Sequence, residues 1–396
     1  MGLENWLKII ESRAREGLAL SSPYGIDIDI SQFINYSREG STAIDESKVR
    51  EVGVDLSAKA IYTQVDQTYF RYLSKIPGVE VMRLEDFIES RPDEAKEYVW
   101  RLIDPGKDKY TALAALKGRG GYFIKIKSGT KVTEPVMACL FMSIGGIQAP
   151  HNIVIVEKNA EATVYTGCTI APESFGLHIG ISEFYVEENA TLRFVMVHSW
   201  NRVAHVRPRT AVQVKRGGRY ISYYVNIGKV KSIQTYPIVT LESNAYTYLA
   251  SIVLGLDDAH IDVGSGINIE GEDAVAEIVS RSLARDNSKI IARASIIGRS
   301  GKGHIDCRGL MLSDKAYIYT VPELGALSPN TILTHEASIG RLAEEEINYL
   351  IGRGFSREEA VGILLRGFIS IDIKDIPPQI KNYIETIEKL TVEKAM

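Results

Sequence analysis

A turn residue recurs at a nearly constant interval through the middle of this 396-residue chain. Between residues 121 and 333, short runs rich in Val, Ile, Tyr and Thr are separated by small or polar residues, as in a series of β-strands. The recurring residues are Gly129, Asn159, Asn189, Gly217, Asn244, Asn287 and Asp314, with spacings of 30, 30, 28, 27, 43 and 27. Because Gly, Asn and Asp tolerate a left-handed backbone, the pattern predicts that one tight corner is made repeatedly.

A repeat of this length is typical of a solenoid. One coil cannot bury its own apolar face, but coils stacked at ~4.8 Å pair each strand with the coils above and below. The sequence therefore predicts a parallel β-helix with all seven turns along one corner, and we interpret the long interval as a coil with a loop thrown out of it. A β-sandwich also has many short strands, but it gives no reason for a constant period.

Helices are predicted on both sides of this core because their apolar residues are spaced by three and four. Glu344 to Gly352 forms a helix closed by Gly352 or Gly354, and Ser356 with Glu359 makes a capping box for a helix through Leu365. The other predicted helices cover residues 3–17, parts of 84–117, and 378–394. The predicted regions are a helical or mixed N-terminal region, a β-helix core and a C-terminal helical region, at 1–118, 119–337 and 338–396 respectively.

Composition and charge exclude several classes of function. The chain is 45% hydrophobic and 24% charged, as a folded protein is, and its net charge of -4 argues against nucleic acid as the main partner. No stretch approaches the roughly 20 apolar residues of a membrane span, and the first residues do not have the pattern of a secretory signal. Three widely spaced cysteines argue against a disulfide framework, so we expect a cytoplasmic protein.

The stretch THEASIGRL contains a histidine and a glutamate side by side, His335 and Glu336. A zinc-protease H-E-x-x-H motif needs a second histidine at position 339, which is Ile339. TILTHEASI is predicted to be the last strand of the core, so His335 and Glu336 point to opposite faces unless a bulge realigns them.

Other residues are weaker candidates for chemistry. His260 and Asp262 lie on the same side of a predicted strand, with a spacing that suits a metal or a His–carboxylate pair, although a solvated polar loop is the simpler interpretation. Cys168 is predicted where a strand gives way to a turn, so its thiolate could be exposed to a soft metal or sulfide. Neither Gly-rich stretch, GRGG or GRSGKG, has the features of a phosphate-binding loop, so we expect no directly bound nucleotide.

Several of these motifs, taken in chain order, resemble one known family. GYFIKIKSGTKVTEPV, VEKNAEATVYTGCTIAP, MVHSWN, AHIDVG, CRGLML and, most specifically, LTHEASIGRLAEEEINYLIGRGFSREEA resemble the SufB/SufD proteins. These are scaffold proteins of the SUF system of iron–sulfur cluster assembly. The resemblance covers roughly residues 110–370.

The resemblance implies a fold, a function and partners. It implies a right-handed parallel β-helix, a C-terminal helical region, chiefly Leu342 to Phe368, that docks the SufC ATPase, and pairing through the β-helix with a SufB/SufD-type paralogue or a second copy. SufB-type members assemble a nascent, transient iron–sulfur cluster with the G-C-T cysteine and the His-Glu of the HEA motif, which are Cys168, His335 and Glu336 here. Such a protein is not an enzyme and contacts neither membrane nor nucleic acid.

The sequence departs from the SufB pattern because DKAYIYTVP lacks the cysteine usual before the T-x-P strand. A subunit interface or a partner is then expected to supply the missing thiol. Length and missing thiols resemble SufD, whereas the GCT and HEA motifs resemble SufB, so both roles stay open. The alternatives are a structural SufD-like subunit without its own cluster ligands and a carbohydrate-active β-helix enzyme.

Overall fold

The computed structural model describes residues 2–36 and 44–369 of the chain. The predicted helix at 378–394 lies outside these residues. Within them, no helix has both the length and the apolar character needed to cross a bilayer. The described helices are α1 (Leu3–Gly17), α2 (Ser31–Ile34), α3 (Glu46–Glu51), α4 (Leu84–Ser90), α5 (Pro92–Tyr98), α6 (Lys109–Lys117), α7 (Glu344–Gly352) and α8 (Arg357–Ile369).

Strands occupy most of the chain between the first and last helices. In chain order they are β1 (Ala60–Val65), β2 (Tyr69–Ser74), β3 (Val79–Arg83), β4 (Tyr122–Ile126), β5 (Val136–Met142), β6 (Gly146–Gln148), β7 (His151–Val156), β8 (Glu161–Ile170), β9 (Gly176–His178), β10 (Ile181–Val186), β11 (Thr191–Ser199), β12 (His205–Val206), β13 (Arg209–Val214), β14 (Arg219–Asn226), β15 (Ser232–Thr235), β16 (Ile238–Leu241), β17 (Tyr246–Gly255), β18 (His260–Ile269), β19 (Val275–Ala284), β20 (Lys289–Gly298), β21 (Gly301–Met311), β22 (Tyr317–Ala326) and β23 (Thr331–Gly340).

These strands wind into the predicted parallel β-helix. Sheet A has the order β2-β1-β5-β8-β11-β14-β17-β19-β21-β23, and sheet B runs β3-β4-β7-β10-β13-β16-β18-β20-β22. All pairings among β4 and the strands that follow it are parallel, whereas β4 pairs antiparallel with β3. Each strand of a sheet pairs with the equivalent strand of the next coil, as Thr191 on β11 pairs with Arg219 on β14. The mainly β fold with helices at both ends is therefore confirmed. The N-terminal region also adds β1, β2 and β3 to the ends of the two sheets.

The cross-section of the β-helix changes along its axis. A third side is formed by the short strands β6, β9, β12 and β15, which branch from sheet B. This side ends at β18, whose first residues pair with β15 and whose last residues pair with β16. From β17 onward each coil therefore has two strands of about ten residues, and the coil is flat. The corner between the third side and sheet B, which we call the third corner, contains Pro208 and Pro237.

The predicted turns lie along two corners rather than one. Gly129, Asn159, Asn189, Gly217 and Asn244 have left-handed φ values of 71°, 60°, 54°, 67° and 57° and stack along the corner that leads into sheet A. Each donates its backbone N–H to the coil above, as from Asn159 to Glu188 at 3.0 Å. Asn287 and Asp314 lie at the opposite corner, where Asn287 N–H donates to Asp257 O.

The interpretation of the 43-residue interval as a loop is therefore wrong. Asp273, also left-handed with φ of 56°, continues the first corner 29 residues after Asn244 (273 minus 244). The segment between them forms the regular strands β17 and β18. The 43-residue interval arises because Asn244 lies at the first corner and Asn287 at the opposite one. The two corners cannot be told apart by residue type, since both use residues that tolerate a left-handed backbone.

Replacing Asn244 with alanine is expected to destabilise the protein by about 1 kcal/mol, since a Cβ-bearing residue without a polar side chain pays the left-handed penalty in full. Asn244→Gly is the matched control, because glycine adopts this conformation without strain, and we expect its melting temperature to equal or exceed that of the wild type. Calorimetric melting temperatures of the three proteins test this. Equal losses in both variants would show that the Asn244 side chain, and not its backbone conformation, matters.

Helices cover the outer faces of the sheets. α1, α4 and α5 pack on the outer face of sheet B, whereas α3 and α8 pack on sheet A through residues such as Val49 and Leu365. Helix α1 spans the predicted residues, and α7 ends at Gly352 with a left-handed Gly354 after it. The predicted capping box is present, because Ser356 N–H donates to Glu359 at 2.7 Å and Glu359 N–H donates to Ser356 Oγ at 3.1 Å.

Candidate functional site

Cys168 is a buried core residue and not an exposed one. Strand β8 continues past it to Ile170, so the predicted change from strand to turn does not occur there. Its side chain points into the β-helix, is 0% exposed, and places its Sγ 3.6 Å from the Sδ of Met196. Burial raises the pKa of the Cys168 thiol well above its usual value, so the thiol is neutral. The expectation of an exposed thiolate is wrong.

Aromatic and imidazole rings surround Cys168 inside the β-helix. His198 pairs in register with Cys168, and its Nδ1 lies 3.0 Å from the Tyr224 hydroxyl. The rings of His198 and Trp200 are 5.3 Å apart. Desolvation lowers the pKa of His198 well below its ordinary value and that of His178 to about 3, so both imidazoles are neutral. The interior around Cys168 is therefore polar but uncharged.

His335 and Glu336 lie on β23, the last strand of sheet A. The register between β23 and β21 is unbroken, with His335 beside Ile305 and Glu336 beside Asp306. Ile305 belongs to the interior core, whereas Asp306 accepts hydrogen bonds from Arg281 and Arg308 on the outer face. No bulge realigns the pair, so the imidazole lies on the interior face and the carboxylate on the outer face. Both residues are exposed to solvent.

Cys168 and His335 are too far apart to bind one ion within a single chain. In sheet A, β8 and β23 are separated by six inter-strand steps. At ~4.8 Å a step, this is about 29 Å. The three predicted site residues are therefore not brought together by the fold of one chain.

Cys307 is the thiol that the fold places next to His335. It lies on β21 opposite Ala337, and its side chain belongs to the interior core. His335 is on the neighbouring strand, two residues before Ala337. The Cα atoms of Cys307 and His335 are therefore about 8 Å apart, and both side chains can approach one ion. Cys307 is 1% exposed, and burial, with the nearby Asp306 charge, raises the pKa of its thiol to about 12. In the sequence, Cys307 lies in a strand run where a buried, unreactive cysteine is the ordinary interpretation; its burial is confirmed, but its position beside His335 was not predicted.

A signal for Cys307 is present in the sequence. It precedes His335 by 28 residues (335 minus 307), within two residues of the 30-residue offset that pairs Cys307 with Ala337. Residues one period apart lie beside each other in a β-helix, so the period itself places Cys307 next to the HEA segment.

The coil that carries His335 is open at its far edge. Among the described residues, β22 and β23 each pair with a strand on one side only. Tyr319 on β22 and Ile332 on β23 are 54% and 59% exposed, and Tyr317 and Ile339 are also exposed. A long parallel edge with exposed apolar side chains is a template for pairing with another chain.

His260 and Asp262 do not form a metal site. Both lie on the outer face of β18, as the spacing predicts, but Asp262 is buried and committed to other partners. It accepts from Arg293 at 2.7 and 3.0 Å and from the Gly25 N–H at 3.0 Å. The pair is structural. Across residues 2–36 and 44–369, no group of three or more His, Cys, Asp or Glu side chains is arranged to hold a metal ion.

Comparison with known proteins gives a consistent result. Residues 141–368 match the family model described as the SUF system FeS cluster assembly SufBD core domain. The chain is 42% identical to an iron-sulfur cluster assembly SufBD family protein of Archaeoglobus fulgidus, over 88% of this chain and 96% of the relative. It is 38% identical to a protein of the same description from Methanothermobacter thermautotrophicus, over 96% of each. It is 28% identical to the iron-sulfur cluster assembly protein SufB of Bacillus subtilis, over 80% of this chain and 69% of the relative.

Proposed function

The chain belongs to the SufBD family of SUF-system iron–sulfur cluster assembly proteins, and we propose that it is a scaffold subunit that forms and releases a nascent cluster at the end of its β-helix. The observation that carries this proposal is the position of Cys307 and His335 on the same interior face of the last two strands of sheet A. The protein is not itself an enzyme in this proposal. It holds the cluster as cargo for other proteins.

The proposed ligands, the Cys307 thiolate and the His335 imidazole, suit a cluster that is transferred to other proteins. A thiolate and an imidazole are both iron ligands, and mixed ligation holds a cluster less tightly than four thiolates do. Because the pKa of Cys307 is raised to about 12, iron has to displace the thiol proton when it binds. We propose Glu336, exposed on the outer face beside Asp306, as a further ligand for incoming iron.

One chain does not complete this site. The described residues offer Cys307 and His335 at the interior face, whereas a cluster takes four ligands. A second chain that pairs with the open edge of β22 or β23 supplies its own ligands, and the exposed Tyr319 and Ile332 are then buried. We propose that this second chain is a SufB/SufD-type paralogue or another copy of the protein. This second chain supplies the thiol that the stretch DKAYIYTVP lacks.

Anaerobic reconstitution with ferrous iron and sulfide tests the proposal. The wild-type protein, alone and mixed with a co-expressed paralogue, is separated by size-exclusion chromatography before iron and acid-labile sulfide are counted in each fraction. We expect both elements in the dimer fraction and neither in the monomer fraction. Iron and sulfide that follow the monomer, or that are absent from every fraction, contradict the proposed scaffold role.

A second candidate is a structural subunit that supports a cluster held by its partner. The absence of a three-ligand group within the described residues favours it. In the same reconstitution this subunit gives an empty homodimer and a loaded heterodimer whose iron does not depend on Cys307.

We propose that α7 and α8 dock the SufC ATPase. Ile347, Val361 and Leu365 pack toward sheet A, whereas Tyr349 and Phe355 are 61% and 40% exposed. Arg357 holds the two helices together through a bidentate pair with Glu344, at 2.7 and 3.0 Å. An exposed aromatic patch on a small, braced helical unit is a suitable anchor for a partner protein. We also propose that this chain binds no nucleotide directly, that ATP hydrolysis belongs to the SufC partner, and that the complex lies in the cytoplasm.

Replacing Tyr349 with aspartate is expected to weaken SufC binding by roughly tenfold to a hundredfold, because a charge replaces the more exposed of the two aromatic side chains. Co-purification with tagged SufC, followed by calorimetric titration, measures this. Ile9→Asp is the matched control, since Ile9 is 57% exposed on α1 at the other end of the molecule. Equal binding by the wild type and Tyr349→Asp would place the contact elsewhere.

A further inference from the structure

Two sulfur atoms lie side by side inside the β-helix. The Sγ of Cys168 on β8 is 3.6 Å from the Sδ of Met196 on β11. Two sulfur ligands that bind one metal ion at ~2.3 Å lie ~3.8–4.0 Å apart when the angle between them is tetrahedral or trigonal. The two sulfurs therefore already have nearly the spacing of two ligands on one soft metal ion.

His198 adds a nitrogen donor beside this pair of sulfurs. It is the register partner of Cys168 and lies two residues after Met196 on β11, so the three side chains point to the interior from two paired strands. The imidazole is 1% exposed, and its Nε2 has no hydrogen-bond partner among the described residues. A buried polar atom without a partner is uncommon in a folded protein, and a bound water molecule or ion is one of its ordinary explanations.

Tyr224 fixes the orientation of this imidazole. Its hydroxyl lies 3.0 Å from Nδ1 of His198. Histidines that bind metals direct their other ring nitrogen to a hydrogen-bond partner, which sets the tautomer and the position of the ring. When Nδ1–H donates to the Tyr224 oxygen, the lone pair of Nε2 is free for a metal. Burial lowers the pKa of His198 well below its ordinary value, so no proton competes for that lone pair.

A small cavity adjoins these side chains. Its volume is about 70 Å³, and Met196, His198 and Tyr224 are among the residues that line it. Cys168 is not part of the lining and reaches the cavity only through its contact with Met196. The cavity gives the thioether and the imidazole room to turn toward a bound ion without displacing a strand.

The charge of the surroundings selects a monovalent ion. Cys168 and His198 are both neutral, and no Asp, Glu, Lys or Arg among the described residues lines the cavity. A thiolate at Cys168 brings one negative charge, so a monovalent ion leaves the site neutral. A divalent ion leaves one positive charge buried without a counter-ion, which is strongly unfavourable. Thiolate, thioether and imidazole together suit Cu(I).

We propose that Cys168, Met196 and His198 form a binding site for one Cu(I) ion inside the β-helix. The ion replaces the thiol proton of Cys168: a Cu–S bond forms, the S–H bond breaks and the proton leaves to solvent, with no change of oxidation state. Because Cys168 is 0% exposed, the ion enters while the chain folds, before β8 and β11 are enclosed. About 29 Å separates the site from His335, so it does not depend on the proposed cluster site.

Copper content and affinity test the site in a protein whose only thiol is Cys168, made with Cys139→Ala and Cys307→Ala. The full-length protein is produced in cells grown with added copper, purified without oxygen and dialysed, and we expect about one copper ion per chain. Competition with the Cu(I) chelator bicinchoninate gives the affinity. Adding Met196→Leu keeps the side-chain volume and should weaken copper binding at least about tenfold. Adding Cys168→Ala should abolish it.

A methionine elsewhere in the β-helix provides the matched control. Met137 is 5% exposed and lies on the outer face of sheet A, so Met137→Leu should bind copper as tightly as the parent protein. X-ray absorption at the copper edge should show two sulfur ligands and one nitrogen ligand. The proposal is overturned if the protein with Cys168 as its only thiol holds no copper, or if Met196→Leu leaves the copper affinity unchanged.

Discussion

Replacing Cys307 with alanine is expected to reduce the iron retained after anaerobic reconstitution at least about tenfold, and replacing His335 with alanine should have a similar effect. Both side chains lie on the interior face of the last coil, and each is one of the two donors that a chain contributes there. Loss of either leaves a site too poor in ligands to hold a cluster. Iron, acid-labile sulfide and the visible absorption of the dimer fraction measure the effect.

The other cysteines provide matched controls for this experiment. Cys139→Ala removes a buried thiol whose pKa is likewise raised to about 12, but on the outer face of sheet A, and it should retain iron as the wild type does. Cys168→Ala should also retain iron at the terminal coil, since about 29 Å separates it from His335. If Cys168→Ala loses its iron while Cys307→Ala keeps it, the assignment to the terminal coil is wrong.

The repeat made the fold predictable from the sequence. The backbone conformation at a β-helix corner is determined by a few neighbouring residues, and asparagine at 159 and 189 correctly indicates a left-handed backbone there. Two corners per coil use the same residue types, however, so one series of turns does not show which corner each turn occupies. Asn287 was therefore assigned to the wrong corner. The strands β1, β2 and β3 were not predicted individually, because they pair with distant strands such as β5 and have no repeat of their own.

The site was less predictable, because it depends on register between coils. The alternation of side chains on a strand correctly separates His335 from Glu336. Finding Cys307 requires alignment of β21 with β23 residue by residue, and the small variation of the period, from 27 to 30 residues, hides that alignment. Cys168 is buried because β8 continues to Ile170. Gly167 and Pro172 instead suggested that the strand ends near Cys168.

Glu183 holds the N-terminal region on the β-helix through one carboxylate. It lies on β10 with 0% exposure, and it accepts the backbone N–H groups of four consecutive residues, at 2.7, 2.7, 2.5 and 3.2 Å. These donors are Trp100, Arg101, Leu102 and Ile103. His151 Nε2 lies 2.8 Å from the same carboxylate. Trp100 has a left-handed φ of 57°, so this turn depends on the carboxylate to hold a strained backbone.

Replacing Glu183 with leucine is therefore expected to destabilise the protein by about 3 kcal/mol or more, because it leaves four backbone N–H groups without their acceptor. Glu183→Gln keeps one oxygen acceptor but loses the charge and the second oxygen, so its loss should be smaller. Urea unfolding midpoints measure both variants. Glu188→Gln, only five positions along the chain and exposed in a pair with Lys158, is the control and should keep the wild-type midpoint. A wild-type midpoint for Glu183→Leu would mean that the turn is held by its packing against Tyr185 and not by the carboxylate.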